Sequence, residues 1–142
     1  MAKKYSMTGQ IRIINRLMKF GIRIGMVPKP AYILTVRGRK SGKQYSTPVS
    51  LVEEDNGRWL VAPYGEVNWV HNARAAGEVT LSRGGHSETV TVAEVPVDER
   101  ASILKTYFDR EGFARQFTDF TLESSLETYA EAASHHPVFN LG

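Results

Sequence analysis

The segment RGRKSGK, residues 37–43, gathers four cations and no carboxylate into seven positions. The cations are Arg37, Arg39, Lys40 and Lys43, and two glycines lie between them. Like charges this close repel one another even on a solvated surface, so the stability of the fold does not require them. Cationic side chains combined with the amides of a glycine-containing turn are a setting that holds phosphate. The turn is therefore a candidate anion site, with a solvated surface turn as the alternative.

A second candidate lies in YGEVNWVHNARAAGE, residues 64–78, where the spacing of the apolar residues becomes helical. The N-terminus of a helix that opens here also favours negative charge. Trp69 and Asn72 lie three residues apart on one side of this helix, so the indole could contact a flat ring while the amide donates hydrogen bonds. Trp69 could equally fill the core. Together, the turn and the helix predict a site for a ligand that is anionic and flat.

Other chemistries have little support in the sequence. It contains no cysteine, no GxSxG, no Walker loop and no HExxH motif, and its four histidines lack a spacing typical of metal ligands. The carboxylates are scattered without an evident pair, so acid–base hydrolysis is not indicated. The basic segments lack the interleaved aromatic residues on which single-stranded nucleic acids stack. We therefore expect no metal site and no nucleic-acid partner.

The charge of the chain is divided unevenly along its 142 residues, a length that suits one domain with a core. Residues 1–43 hold 11 of the 18 basic residues and none of the 15 acidic ones, so the remainder, with 7 basic and 15 acidic residues, has a net charge of −8. The first part thus offers a cationic surface to a phosphorylated ligand, a polycarboxylate or an anionic membrane. The absence of cysteine, of a long apolar run and of a signal peptide predicts a cytoplasmic protein.

The pattern of apolar residues predicts a small barrel. Strands are expected at 31–36, 46–54 and 59–62, with an Asn-Gly turn before the third, and a further hairpin turns at a Gly-Gly pair. The tail HHPVFNLG, led by Pro137, predicts an edge strand or a docked extended segment. At most six strands with one inserted helix are too few for a sandwich and suit an α+β barrel of mainly antiparallel strands.

Helices are expected at both ends of the chain and inside the barrel sequence. The first runs from Ile11 to Ile24, and after Pro96 two further helices should pack on the barrel. Gly77 is expected to end the inserted helix as a left-handed cap. The first helix has two stripes at helical spacing: Ile11, Ile14, Met18 and Ile22 are apolar, and Arg12, Arg16, Lys19 and Arg23 are basic.

Two interpretations of the first helix stay open. In one, its apolar stripe packs on the core and its basic stripe faces solvent. In the other, the helix contacts a membrane surface or the tail of a ligand. Two prolines in MVPKP are expected to end it.

The segments LTVRGRKSGKQYSTPV, VAPYG and NWVHNARAAGEVTL together resemble the deazaflavin-dependent nitroreductase family, split β-barrel oxidoreductases that use coenzyme F420, an 8-hydroxy-5-deazaflavin. The resemblance is close over residues 30–95 and loose over the helical tail. It implies one split-barrel domain over residues 1–142, with an N-terminal helix in 1–27, the barrel core in 30–95, and helices with a final extended segment in 96–142. It also implies hydride transfer from reduced deazaflavin to a small electron-poor acceptor such as a quinone, an enone or a nitro compound.

The resemblance also implies site residues by position. The coenzyme's phosphate would lie against Arg39, Lys40, Ser41 and Gly42, and its ring against Tyr45, Ser46, Thr47, Pro48, Val49 and Ser50. A second ring-contacting loop would consist of Ala62, Pro63, Tyr64 and Gly65, and the helix that closes over the coenzyme would supply Asn68, Trp69 and Asn72. The completing proton would come from solvent, from Tyr64, or from Tyr129, the nearest match to a family tyrosine in the C-terminal helical region. Plain core packing is the alternative for Tyr129.

Two features depart from the family, and several alternatives stay open. The loop YGEVNW is shorter than in many nitroreductases, and Ala73 stands where leucine is commoner; both changes weaken the inference that nitro compounds are the natural substrates. Flavin mononucleotide is the less favoured cofactor. The further alternatives are a non-catalytic protein that binds deazaflavin or a fatty-acyl ligand, a monomer or a homodimer, and peripheral contact with the inner face of the cell membrane through the first helix.

Overall fold

The computed structural model describes residues 9–26 and 31–142. Its helices are α1 Gly9–Arg23, α2 Asn68–Ala76, α3 Ala101–Arg110, α4 Gly112–Arg115 and α5 Leu126–Ala132. Its strands are β1 Ala31–Arg37, β2 Gln44–Glu54, β3 Gly57–Val61, β4 Glu78–Arg83, β5 His86–Glu94 and β6 Val138–Leu141. Short 3₁₀ turns lie at Val97–Glu99 and Ala133–His135.

The six strands close into an antiparallel barrel in the order β1-β2-β3-β6-β5-β4, which confirms the predicted α+β barrel. The turns between paired strands follow the sequence signals. Gly84 and Gly85 both have positive φ in the β4–β5 turn, and Gly77 caps α2 with a φ of 74°. These backbone conformations suit glycine because a Cβ would be strained there.

The C-terminal tail is not an edge strand, so that part of its prediction is wrong. β6 pairs with β3 on one side and with β5 on the other, and thereby closes the barrel. Pro137 lies just before the strand, where its missing N–H costs no ladder bond, and its carbonyl accepts the amide of Ala62 at 2.8 Å. After Pro96, the last α-helix begins at Leu126, where Ser125 caps α5 by accepting the amide of Thr128.

Strand alternation divides the apolar residues into two cores. The side chains of Leu34, Leu51, Leu60 and Phe139 fill the barrel, and α2 adds Val70 to the same cluster at one mouth of the barrel. The neighbouring strand residues point outward and pack under α3, α4 and α5. This outer core includes Val52, Val61, Val138, Leu104, Phe108, Phe120 and Tyr129.

Helix α1 lies outside the barrel and contacts β1, β2 and β4. Of the apolar stripe predicted for it, Ile22 is fully buried, whereas Ile14 and Met18 are exposed and the side chain of Ile11 is outside the description. The prediction that this stripe packs on the core therefore fails except at Ile22. The prolines expected to end the helix lie outside the described residues. Within the described ranges, no helix is long and apolar enough to cross a membrane.

Candidate active site

The basic turn between β1 and β2 depends on its two glycines. The amide of Gly38 donates to the carbonyl of Lys43 at 2.7 Å, and the amide of Gly42 donates to the carbonyl of Gly38 at 3.0 Å. Gly42 has a φ of 74°, and a Cβ on Gly38 would lie 2.6 Å from the ring of Tyr45. The glycines thus shape the turn, and their own amides are not available to a ligand, contrary to the expectation from the sequence.

Some backbone amides of the turn are paired within it, and others remain available to a ligand. The amide of Lys43 donates to the Ser41 hydroxyl at 3.2 Å, and the Ser41 hydroxyl also lies 3.3 Å from that of Tyr45. Within the part of the chain that the structure describes, the amides of Lys40 and Ser41 have no intramolecular acceptor. Two adjacent free amides in a cationic turn can donate hydrogen bonds to an anion.

Helix α2 holds the turn through a single buried amide. The Oδ1 atom of Asn72 accepts the backbone amide of Arg39 at 3.1 Å and its Nη1 at 2.7 Å. Asn72 is buried, so this pair of hydrogen bonds fixes both the backbone and the guanidinium of Arg39. The structure places the oxygen of Asn72 on Arg39, and the predicted contact of Asn72 with the coenzyme stays a prediction.

The cations of the turn are not neutralised by the protein. Among the described residues, Arg39, Lys40 and Lys43 have no carboxylate partner, and all three are exposed. Because Asn72 is neutral, Arg39 keeps its full charge while its position is fixed. The turn therefore presents a positive potential toward solvent, ready for a phosphate or carboxylate ligand.

Strand β2 continues from this turn, and its predicted ring-lining residues divide between two faces. Val49 packs in the barrel core opposite Tyr32, and Tyr45 and Thr47 share its face because side chains alternate along a strand. Ser46, Pro48 and Ser50 lie on the outer face. Their side chains remain partly exposed.

Two helices contact strand β2. Both α1 and α3 pack against it, and the hydroxyl of Ser50 on its outer face donates to Glu111 at the end of α3. The basic turn lies at the end where β2 begins, because Arg37 pairs with Gln44. The outer-face residues Ser46, Pro48 and Ser50 therefore follow directly after the cationic turn, an order suited to a flat ligand with a phosphate at one end.

Two residues at the end of α3 contact β2, and the sequence did not predict them. Glu111 Oε1 accepts the hydroxyl of Ser50 at 3.0 Å, and its Oε2 accepts Arg110 Nε at 3.2 Å. Arg110 Nη2 in turn donates to the carbonyl of Leu51 at 2.7 Å. The pair fastens α3 to β2 beside Ser50 and Leu51. No local motif marks these residues, since 61 positions separate Ser50 from Glu111.

The loop of residues 62–65 is fastened to the C-terminal tail. Gly65 has a φ of 87°, and a Cβ there would lie 3.3 Å from the carbonyl of His135. The imidazole of His136 lies beside the backbone of Ala62 and of Pro63, and its Nδ1 atom is buried without a hydrogen-bond partner among the described residues. Burial lowers the pKa of His136, although the adjacent backbone of Ala62 and of Pro63 acts in the opposite direction. His136 is therefore a neutral side chain beside the predicted ring-contacting loop, and no sequence motif marks its position.

The two candidate proton donors have different surroundings. Tyr64 is half-buried and meets Phe117 edge-on at 5.5 Å, and Phe117 meets the exposed Phe113 at 5.4 Å. Tyr129 is fully buried, stacked 4.2 Å from Phe120 in the outer core, where burial raises the pKa of its hydroxyl. The structure therefore leaves Tyr64 accessible beside a row of aromatic rings and buries Tyr129 in the outer core.

The remaining predicted residues lie at the start of α2. Trp69 is half-buried and packs against the barrel core, with its ring 6.1 Å from that of Phe139. Asn68 is exposed at the first position of the helix. Trp69 thus takes part in core packing while one side of its indole remains accessible.

A network of charges holds α2 on its other side. Arg74 donates to both oxygens of Glu66 at 2.6 and 2.8 Å and to both oxygens of Glu94 at 2.7 Å each. Glu94 also accepts Arg100 Nη2 at 3.1 Å, and the buried Arg100 donates to the carbonyls of Val95 and Ala133. The network joins the loop before α2 to β5 and to the helical layer.

Comparison with known proteins places the chain first in a fold class and then in a family. Its fold matches a solved structure described as a domain-swapped dimer, at 22% identity over 94% of this chain and 93% of the other, with a TM-score of 0.56. It also matches a structure of an F420-H2 dependent reductase, FDR-A, at 23% identity over 82% of this chain and 96% of the other, with a TM-score of 0.54. These likenesses establish the split-barrel fold. No curated protein matches the chain in sequence.

The profile of the F420H(2)-dependent quinone reductase family matches residues 10–117. The chain belongs to this family, and it is an oxidoreductase whose cofactor is coenzyme F420. The cations of the turn, which have no carboxylate partner in the described structure, and the free amides of Lys40 and Ser41 suit the cofactor's phosphate.

Proposed function

We propose that this reductase passes the hydride of reduced coenzyme F420 to a small, flat, electron-poor acceptor, with a quinone as the preferred class and enones and nitro compounds as further substrates. The observation that carries the proposal is the outer face of β2, where Ser46 is exposed and Pro48 and Ser50 are partly exposed directly after the cationic turn. When bound, the deazaflavin supplies the hydride, and the protein binds, orients and excludes water.

The proposed coenzyme contacts are the residues named by the resemblance, with roles adjusted to their positions. Lys40 and Ser41 would hold the phosphate through their amides, with charge from Lys40 and Arg39. Asn72 would act through Arg39, because its oxygen accepts two hydrogen bonds from that residue. The ring would lie on the outer face of β2 beside the loop of residues 62–65.

An aromatic row favours a flat acceptor. Phe113, Phe117 and Tyr64 lead from solvent toward the ring-contacting loop, each ring edge-on to the next. Such a surface binds planar apolar rings through stacking and edge-to-face contacts. We propose Tyr64 as the proton donor that completes the reduction, because it is accessible; Tyr129 would need the outer core to open.

The experiment that tests the reductase supplies reduced F420, NADPH and reduced flavin mononucleotide separately, each with quinones, enones and nitro compounds. We expect oxidation of F420 with quinones as the fastest acceptors, and a loss of turnover in Tyr64→Phe that Tyr129→Phe does not show. Turnover with flavin mononucleotide alone would show that flavin mononucleotide, and not F420, is the cofactor. Deazaflavin binding without oxidation by any acceptor would support a non-catalytic carrier. An equal loss in both tyrosine variants would remove Tyr64 as the specific donor.

We also propose that the protein acts in the cytoplasm at the inner face of the cell membrane, with no nucleic-acid partner. The charge of the first part of the chain and the exposed face of α1 support this location. A similar structure is described as a domain-swapped dimer, and light scattering of the purified chain distinguishes a monomer from a homodimer.

A further inference from the structure

The two mouths of the barrel differ in how they are filled. At the mouth beside the basic turn, Val70 of α2 packs on the barrel core. At the other mouth, where β1 begins and β4 ends, the structure contains a cavity of about 370 Å³. Tyr32 and Leu81 line this cavity and also belong to the barrel core, where both are buried. A cavity of this volume is large enough for a small organic molecule.

The inner faces of the strands become polar around the cavity. Arg83 and Glu88 lie two residues from barrel-core residues on β4 and β5, so they share the face that points into the barrel. Glu53 and Arg58 lie in the equivalent positions on β2 and β3. Charged groups at a barrel end cost desolvation energy that apolar side chains would not. Their presence beside a cavity therefore indicates recognition of a ligand in addition to packing.

A guanidinium group on the cavity wall is held in position by the protein. Nη1 of Arg83 donates to the carbonyl of Ala31 at 2.6 Å, and its guanidinium carbon lies over the ring of Tyr32, 5.7 Å from the ring centroid. The hydroxyl of Tyr32 is oriented as well, since it donates to both oxygens of Glu53 at 3.3 and 3.4 Å. His86, which pairs with Arg83 in the ladder, also lines the cavity. A guanidinium fixed in this way binds a carboxylate with little further loss of side-chain freedom.

A carboxylate lines the same cavity. Oε1 of Glu88 accepts a hydrogen bond from Nη1 of Arg58 on β3. Among the described residues, Oε2 of Glu88 has no hydrogen-bond donor. A carboxylate with one oxygen paired keeps acceptor capacity for an ammonium group. The cavity thus combines a positioned guanidinium with an available carboxylate oxygen.

Two glycines form a further part of the wall. Gly25 follows α1 and Gly84 lies in the β4–β5 turn, and both have positive φ. A Cβ on Gly25 would lie 3.5 Å from the Cα atom of Gly84, and the amide of Gly84 donates to the carbonyl of Ile22 at 3.0 Å. The end of α1 is therefore joined to the turn by backbone alone, with no side chain from either glycine to fill the cavity.

We propose that this cavity binds a small zwitterion, namely an α-amino acid with an apolar side chain. Its carboxylate pairs with Arg83, its ammonium group donates to Oε2 of Glu88, and its side chain packs on Leu81 and the ring of Tyr32. Charges of both signs in one small site favour a ligand that carries both. A simple anion would meet Glu88 and a simple cation would meet Arg83, so each would be disfavoured. The proposal does not depend on the proposed reductase function.

The test is calorimetric titration of the full chain, without coenzyme, with L-phenylalanine and with two analogues that each lack one charge. Phenylpropionate lacks the ammonium group, and phenethylamine lacks the carboxylate. We expect L-phenylalanine to bind about tenfold more tightly than either analogue, because each analogue loses a charge-assisted hydrogen bond. L-Leucine should bind as well, since its apolar side chain also fits the cavity. If neither amino acid binds, the inference is wrong.

Two substitutions test the two recognition groups separately. Arg83→Gln should remove the preference for L-phenylalanine over phenethylamine, whereas Glu88→Gln should remove the preference over phenylpropionate. Matched controls are Arg37→Gln at the end of β1 and Glu78→Gln at the start of β4, both exposed and at the other end of the barrel. These controls should keep both preferences. Circular dichroism checks folding, and Glu88→Gln combined with Arg58→Gln replaces the single variant if the unpaired Arg58 unfolds it.

Three further outcomes would overturn the inference. Equal affinity for all three compounds would show that apolar contact alone holds them. Losses in the controls as large as those in the cavity variants would place the binding elsewhere. Displacement of L-phenylalanine by oxidised F420 would place it in the coenzyme site. Because no turnover is measured, these outcomes are independent of whether the reductase proposal holds.

Discussion

Two arginines at helix α2, Arg39 bound to it and Arg74 within it, differ in what surrounds their charge. Arg39 is bound by the neutral amide of Asn72, whereas Arg74 lies between the carboxylates of Glu66 and Glu94. An arginine fixed by an amide keeps its positive charge for a ligand, but one bound bidentately by two carboxylates has little left to offer. The comparison teaches that the partner of a cation, more than its position near a site, distinguishes a ligand-binding arginine from a structural one.

The same contrast appears in the titration of the groups around α2. Hydrogen bonds from Arg74 lower the pKa of Glu66 and the pKa of Glu94, although burial acts against both shifts. Hydrogen bonds to these carboxylates raise the pKa of Arg74. The network is therefore fully ionised at neutral pH and internally balanced, while the basic turn on the other side of α2 remains uncompensated.

The largest expected effect is on coenzyme affinity at the basic turn. Lys40→Ala and Arg39→Ala should each weaken F420 binding by about 1.5 to 3 kcal/mol, the cost of losing a charge-assisted contact to phosphate, with the unfolding midpoint unchanged. Fluorescence titration of the coenzyme gives both dissociation constants. The control is Arg58→Ala on β3, opposite Glu53 near the far end of β2, where Arg58 is already paired with Glu88. Unchanged affinity in both turn variants would show that this turn does not bind the coenzyme's phosphate.

At Arg74 we expect a larger effect on stability than on coenzyme affinity. Arg74→Ala should lower the free energy of unfolding by about 1 to 2 kcal/mol, because a third of the side chain is exposed and solvent screens its ion pairs. The coenzyme dissociation constant should change less than in Lys40→Ala. Urea denaturation measures the loss, and Arg74→Lys should recover only part of it, since an ammonium cannot form two bidentate pairs. A larger effect on affinity than on stability would break the distinction between the two arginines.

Much of the fold was predictable because its signals are local. Alternation marked the strands, a Gly-Gly pair marked the β4–β5 turn, and Gly77 marked the end of α2. The place of β6 in the barrel was not predictable, because its pairing with β3 and β5 depends on residues far away in the chain. The orientation of α1 also escaped prediction: Ile14 and Met18 of the predicted stripe are exposed, whereas Ile22 is buried and its carbonyl accepts the amide of the distant Gly84.

The candidate site was predictable in its charges but not in its contacts. A run of cations without acids marks the turn from the sequence alone, and the glycines within it mark its curvature. The partner of each cation depends on the fold: Asn72 lies 33 residues from Arg39, and Glu94 lies 20 residues from Arg74. Glu111 and His136 were missed for the same reason. The coenzyme contacts named by the resemblance stay predictions.

Acid should remove the contribution of the Arg74 network. Glu66 and Glu94 have a lowered pKa in the folded protein, so the stability they contribute is present above their ordinary pKa of 4.5 and is lost as pH falls through the folded values. The difference in unfolding free energy between the unaltered chain and Arg74→Ala should therefore be constant near neutral pH and shrink below about pH 4.5. Urea unfolding across this pH range measures the difference. A difference that grows in acid would show that these carboxylates do not act through Arg74.

A smaller effect is expected from salt, which should weaken coenzyme binding at the basic turn more than it weakens the Arg74 network. Exposed cations at the turn are screened as the Debye length falls from about 10 Å at 0.1 M salt to about 3 Å at 1 M, so coenzyme binding should weaken several-fold. The loss should grow with the length of the coenzyme's oligoglutamate tail, because each added carboxylate is attracted by the uncompensated charge of the turn and of α1. The stability difference caused by Arg74→Ala should change less over the same range, because its partners lie in direct hydrogen-bonded contact. Calorimetric titration with coenzymes of different tail length, alongside urea unfolding at each salt concentration, measures both quantities. Coenzyme affinity independent of salt and of tail length would mean that the turn binds its ligand by hydrogen bonds alone, and the contrast between Arg39 and Arg74 would then lose its electrostatic basis.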